Sequence, residues 1–225
     1  TVADGALIES ISAGGKGGDM LLRGDTVTVR SATLFSQTTG AGDGGRIGLQ
    51  GREVSVLDGA VLWTRALEGS GGAAGDIELV ASERLLATGV SASGDPLFVL
   101  SQTFGAGGSG SFIFTAPEIT LRGGIYISGN YGSSGDAGDI RVTGDVVRLQ
   151  GGNGSYLQLE SGASNFTSGD GGNIIIRAAQ RFELDGNGFP TGWTRVAAAT
   201  QGGGRGGDIL VEAPSILIDR ATLFS

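Results

Sequence analysis

The chain has 225 residues, 45 of them glycine, and a formal charge of −8 from 23 acidic and 15 basic residues, with neither cysteine nor histidine. That composition excludes a disulfide framework, thiolate or His-ligated metal sites, Ser-His-Asp triads and a His general base. The acidic balance, with no Lys/Arg cluster, excludes a nucleic-acid backbone as partner. A hydrophobic content of 39%, regularly placed, excludes a disordered glycine-rich linker, and no apolar run approaches the ~20 residues of a membrane-spanning helix.

Residues 1–10, TVADGALIES, lack the basic and apolar regions of a signal peptide and begin without Met. The chain is therefore expected to be one β-structured segment, residues 1–225, of a longer repetitive polypeptide. From residue 18 onward the pattern Gly, any residue, apolar, any residue, apolar recurs: GDMLL (18–22), GRIGL (45–49), GDIEL (75–79), GSFIF (110–114), GDIRV (138–142), GNIII (172–176) and GDILV (207–211). Met20, Ile47, Ile77, Phe112, Ile140, Ile174 and Ile209 lead the seven copies, at spacings of 27, 30, 35, 28, 34 and 35 residues. A second alternating stretch follows as TVTV (26–29), EVSV (53–56), EITL (118–121), VVRL (146–149) and SILI (215–218). A third follows as ATLFS (32–36), AVLWT (60–64), GIYIS (124–128), YLQLE (156–160) and ATLFS (221–225).

Period-two alternation marks strands with one buried face, and the Gly, Asp, Asn and Ser between them supply turns. Three short strands per unit of about 30 residues can bury their inner faces only by coiling, each turn stacking on the last. The expectation is an all-β parallel β-helix of about seven turns, three strands each, without capping elements. Its inner ladders are the seven residues above and, beside them, Leu22, Leu49, Leu79, Phe114, Val142, Ile176 and Val211. A longer period is also written in the chain. ASERLLATG (81–89) resembles AAQRFELDG (178–186), each followed by a loop, SASGDP (91–96) or NGFPTG (187–192), and Ala-Pro precedes the second strand at 116–117 and 213–214. Ile77 and Ile174, like Phe112 and Ile209, are 97 residues apart, which suggests a three-turn super-repeat.

The motifs that resemble chemistry fail on context. GxGxxG occurs at Gly105, Gly107, Gly110 and at Gly202, Gly204, Gly207, but strands rather than helices follow. GGKGG (14–18) lacks the Ser or Thr of a P-loop. Asp19, Asp43, Asp76, Asp136, Asp139, Asp170 and Asp208 sit in glycine-rich corners, where hard oxygen ligands could hold a structural calcium, with Asp43 and Asp170 as candidates. The competing reading is that each Asp hydrogen-bonds its own turn; no other cofactor is implied. Paired carboxylates for polysaccharide cleavage are not concentrated in any one turn.

With Leu34, Leu62 and Ile125 taken as inward, alternation turns Phe35, Trp63, Tyr126 and Phe224 outward, and the first strand adds outward Leu21, Ile113, Ile175 and Leu210. These are the candidate contacts to a glycan or to another rod.

GDGGRIGLQGREVSVLDGAVLWT and GGDILVEAPSILIDRATLFS resemble the repeats of filamentous-haemagglutinin-type exoproteins, the secreted β-helical passengers of two-partner secretion abundant in cyanobacteria. The resemblance spans essentially the whole chain. It implies a right-handed β-helix, export across an outer membrane and a role in adhesion or surface structure; the family's N-terminal secretion domain is not among these residues. The expected function is a non-enzymatic structural segment of an extracellular fibre or adhesin, self-associating end to end or laterally. A glycan-binding module using the aromatic row is the alternative, and a polysaccharide lyase or hydrolase ranks behind both.

Overall fold

A computed structural model describes residues 1–131, 134–152, 155–164, 169–188 and 193–225. Among the described residues there is no helix, and every strand-to-strand pairing is parallel. Successive turns of chain lie on one another as coils of a β-solenoid, consistent with the right hand that parallel crossovers take. The first and second strands of the coils form one sheet of 11 strands, and the third strands form a facing sheet of eight.

The first-strand ladder runs in unbroken register from Met20 through Ile47, Ile77, Phe112, Ile140 and Ile174 to Ile209. Its neighbour, Leu22 to Val211, keeps the same register. Members of both ladders inside the stack are fully buried, while Leu22, Ile209 and Val211 in the outermost coils are only partly covered. Each buried Ile, Leu or Phe contributes on the order of 1.5–3 kcal/mol, so the core's stability accumulates coil by coil.

Three separate strands per coil are present in only some of the coils. In coils two and five the first two strands merge into single 11-residue strands, Ile47–Leu57 and Ile140–Gln150. In coils three and six they merge into 12-residue strands, Ile77–Thr88 and Ile174–Asp185. The one-residue excess is absorbed by register shifts at Gly51/Glu53 and Gly144/Val146, so the strand bends without breaking. Coils one, four and seven keep two strands, as in Met20–Arg23 with Thr26–Arg30 and Phe112–Thr115 with Glu118–Arg122. Coil seven repeats the four-plus-five layout in Ile209–Glu212 and Ser215–Asp219. Strand lengths thus recur every third coil. Of the two inserted loops, SASGDP closes on itself through Ser91 N–H to the Asp95 carbonyl, 2.8 Å; residues 189–192 of the other lie outside the described residues.

The glycine corners join each third strand to the next coil. A methyl placed on Gly75 would run into the carbonyl of Gly45, and one on Gly110 into the carbonyl of Gly75. The same close approach recurs at Gly45, Gly138, Gly172 and Gly207. Glycine is required because the backbones of adjacent coils touch.

Behind these corners runs a buried hydroxyl ladder, Ser36, Thr64, Ser101, Ser128 and Ser161, in register on the third sheet. Ser101 Oγ accepts from Gly110 N–H at 2.7 Å and donates to the Gly75 carbonyl at 3.0 Å. Ser128 does the same between Gly138 N–H and the Gly110 carbonyl, at 3.0 and 2.8 Å, and Ser161 between Gly172 N–H and the Gly138 carbonyl, at 3.0 and 2.7 Å. Each of these three hydroxyls therefore ties its own corner to the corner of the coil before it, while Ser36 accepts from Gly45 N–H and Thr64 donates to the Gly75 carbonyl, each at its own corner.

Candidate functional site

The Asp corners form a second ladder, on the outside of the same bend. Asp19 Oδ1 accepts from Arg46 N–H (2.9 Å), Asp43 from Ala73 N–H (2.9 Å) and Asp76 from Ser111 N–H (2.7 Å). Asp136, Asp139 and Asp170 accept from Asp170, Asn173 and Arg205 N–H at 2.8, 2.8 and 2.7 Å. Each carboxylate thus bonds the following coil rather than its own turn, which corrects the local-turn expectation. The reason is geometric: coils stacked in contact bring the next coil's N–H nearer than the Asp's own. The calcium candidates Asp43 and Asp170 each have one oxygen engaged in this way. Lys16 and Arg46 line the same depression as Asp19, Asp43 and Asp76, so protein cations already face those carboxylates.

The outer face of the larger sheet carries ion pairs that also run across coils. Arg52 bridges Asp25 at 3.1 Å and Glu83 at 2.7 Å, Arg84 meets Glu53 at 3.4 Å, and Arg148 meets Glu183 at 3.2 Å. Hydrogen bonds to Asp25 first, then Glu83, hold the Arg52 guanidinium above its ordinary pKa. Exposed pairs of this kind add little stability each, but they leave these carboxylates matched to arginines rather than to one another.

The outward apolar candidates of the first strand are aligned but interrupted. Leu21, Ile113, Ile175 and Leu210 share one column with Gly48, Glu78 and Arg141 between them. Leu21 lies over Gly48, where an added methyl would come within 2.8 Å of its Cδ1. Leu21, Ile113 and Ile175 are half-buried and Leu210 is 40% exposed, so no continuous apolar strip results.

On the third sheet, Phe35, Trp63 and Phe224 share the outward column with Leu100, Ile127, Glu160 and Ala197. Tyr126 does not. It pairs with Val99 and Leu159 in the inward column and is fully buried, while Ile125 faces out. Its ring packs edge-on against Phe114, 6.2 Å between centroids, and burial drives its hydroxyl's pKa well above the ordinary value. The correction follows from Ser128, two residues on, whose hydroxyl must reach the corner and so fixes the strand's phase.

Phe35 and Trp63 meet at 5.5 Å and 56°, and the Arg65 guanidinium lies over both rings, 4.8 and 4.6 Å from their centroids. Their exposed side is therefore capped by a cation. Arg65 Nε donates to Gln37 Oε1 at 2.6 Å, and partial burial lowers its pKa. Beside it a cleft opens between Arg65, Leu67, Glu68, Phe104 and Tyr131. Phe104 and Tyr131 stack at 5.8 Å and 27°, and the Gln102 side chain hydrogen-bonds the Tyr131 hydroxyl.

Sequence reasoning missed Arg65, Phe104 and Tyr131. The available signal was an aromatic residue placed just after the third strand's alternation and before glycine, in SQTFG and again in SGNYG. Set beside protein-family models, curated proteins and solved structures, the chain matches none.

Proposed function

We propose that this chain is a non-enzymatic structural segment of an extracellular surface fibre or adhesin. One observation carries the reading: the polar side chains of the corners are used to fasten one coil to the next, by the hydroxyl ladder inside and the Asp ladder outside. Polar groups arranged for catalysis converge on one point; these are spread evenly along an axis. The outward carboxylates are likewise matched to arginines of adjacent coils.

Such a rod extends, resists proteolysis because its backbone is paired coil to coil, and presents a repeating surface. The resemblance to secreted β-helical passengers supports the extracellular location. Self-association is part of the proposal. Within residues 1–225 the outermost coils present Leu7 and Ile11 at one face and Ile216, Leu217, Ile218 and Phe224 at the other, and unpaired strand edges of this kind accept a further coil from the same polypeptide or from another copy. Electron microscopy of the purified chain tests it. Filaments with an axial repeat near ~34 Å, seven coils at ~4.8 Å, are expected; separate short rods at every concentration would sink the self-associating form of the proposal.

A further inference from the structure

The cleft beside Arg65 carries a separate inference, independent of whether the rod assembles. Ten other arginines, Arg46, Arg52 and Arg177 among them, each lie within 4.0 Å of a carboxylate. Arg65 is more desolvated than an ordinary surface arginine and is held rigidly by two rings and Gln37. Yet among the described residues it has no carboxylate partner within that distance. A partly desolvated guanidinium with no carboxylate in direct contact is a standing cost, the Glu68 carboxylate of the same cleft lying beyond that distance, and its planar fork is shaped for a carboxylate.

Next to it the stacked Phe104 and Tyr131 rings offer an apolar wall of the kind that receives the C–H face of a sugar ring. The exposed Glu68 supplies an acceptor for sugar hydroxyls at the mouth. The cleft encloses about 430 Å³, within the usual size of a small-ligand site.

We propose that this cleft binds a uronate-bearing saccharide, its carboxylate forked by Arg65 and its ring against Phe104 and Tyr131. Cation, aromatic wall and acceptor come from three consecutive coils, Arg65 and Glu68 from the second, Phe104 from the third and Tyr131 from the fourth. The site therefore exists only in the stacked solenoid.

The test titrates the whole chain with tetragalacturonate and with its methyl ester, following amide chemical shifts. Saturable shifts at Arg65, Phe104 and Tyr131 are expected for the acid, with a dissociation constant of about 1 mM or tighter. The ester, R65Q and F104L should each bind at least about tenfold more weakly, the loss of one charge-assisted or stacking contact. R65Q and F104L alter side chains that are only partly buried, and a native amide spectrum for each variant separates lost binding from lost structure. Absence of saturable shifts with the acid overturns the proposal, as does equal binding of the ester or of a folded R65Q.

Discussion

Tyr126 is the residue whose side chain the sequence and the fold assign most differently. Its hydroxyl is buried and, among the described residues, has no hydrogen-bond partner, and an unsatisfied buried hydroxyl costs about 1–3 kcal/mol. Y126F should therefore leave stability at neutral pH unchanged or raise it by up to about that amount, read as the midpoint of denaturant unfolding. The pH dependence has a definite sign. Burial raises the folded-state pKa, so Tyr126 contributes fully below the unfolded value near about 10 and loses that contribution as pH climbs above it. Y126F should flatten the alkaline fall in stability; an identical alkaline slope in both proteins would contradict the burial. GIYIS can be read in two phases, and by hydrophobicity alone the apolar Ile125 and Ile127 favour the wrong one. Ser128 decides, because a hydroxyl that ties two corners together stabilises the phase that buries Tyr126.

At the level of the element, the corner is where the fold is most demanding. Ser101→Ala removes the acceptor for Gly110 N–H and the donor to the Gly75 carbonyl, and should cost about 1–3 kcal/mol. In coil six the chain itself carries Ala198, where Gly207 N–H donates instead to the Ala198 carbonyl at 3.1 Å. Gly75→Ala forces two backbones apart and should destabilise by about 1–3 kcal/mol or more. Gly14→Ala, with open space around the added methyl, should change stability by less than about 0.5 kcal/mol. Equal melting temperatures for the two glycine variants would refute the close-approach account. On the outer ladder, D76A should lose about 1 kcal/mol, and D76N, which keeps an acceptor for Ser111 N–H, should lose less. The strands themselves were legible, since Gly-x-apolar-x-apolar places every member of the two first-strand ladders in its observed register. The ladders at the corners were not, because an Asp that bonds the next coil and one that bonds its own turn have the same sequence.

For the whole molecule, the period that matters is three coils. Strand lengths of four plus five, 11 and 12 residues recur in that order, with the bulges at Gly51 and Gly144 in equivalent coils. Inserting a second copy of residues 112–208 directly after Asp208 adds one complete period and should give a folded rod longer by roughly 14 Å, three rises of ~4.8 Å. Inserting a single coil, residues 112–139, at the same place breaks the order of the period by stacking one four-plus-five coil on another, a pairing the described coils do not make, and should lower the melting temperature; small-angle scattering and thermal unfolding read the two outcomes. Coil count and super-repeat could be seen in the sequence because loop length varies while the strand pattern does not. The cleft beside Arg65 could not, because its parts come from three coils and are neighbours only after stacking.

The corners are fastenings between coils rather than open loops awaiting a ligand. Amide hydrogen exchange on the native chain measures this directly. Gly110, Gly138 and Gly172, whose N–H groups point at buried hydroxyls, should be protected as strongly as the strand amides of Ile77 or Ile140. Exchange at those three glycines at the rate of exposed loops, with the strands still protected, would contradict it.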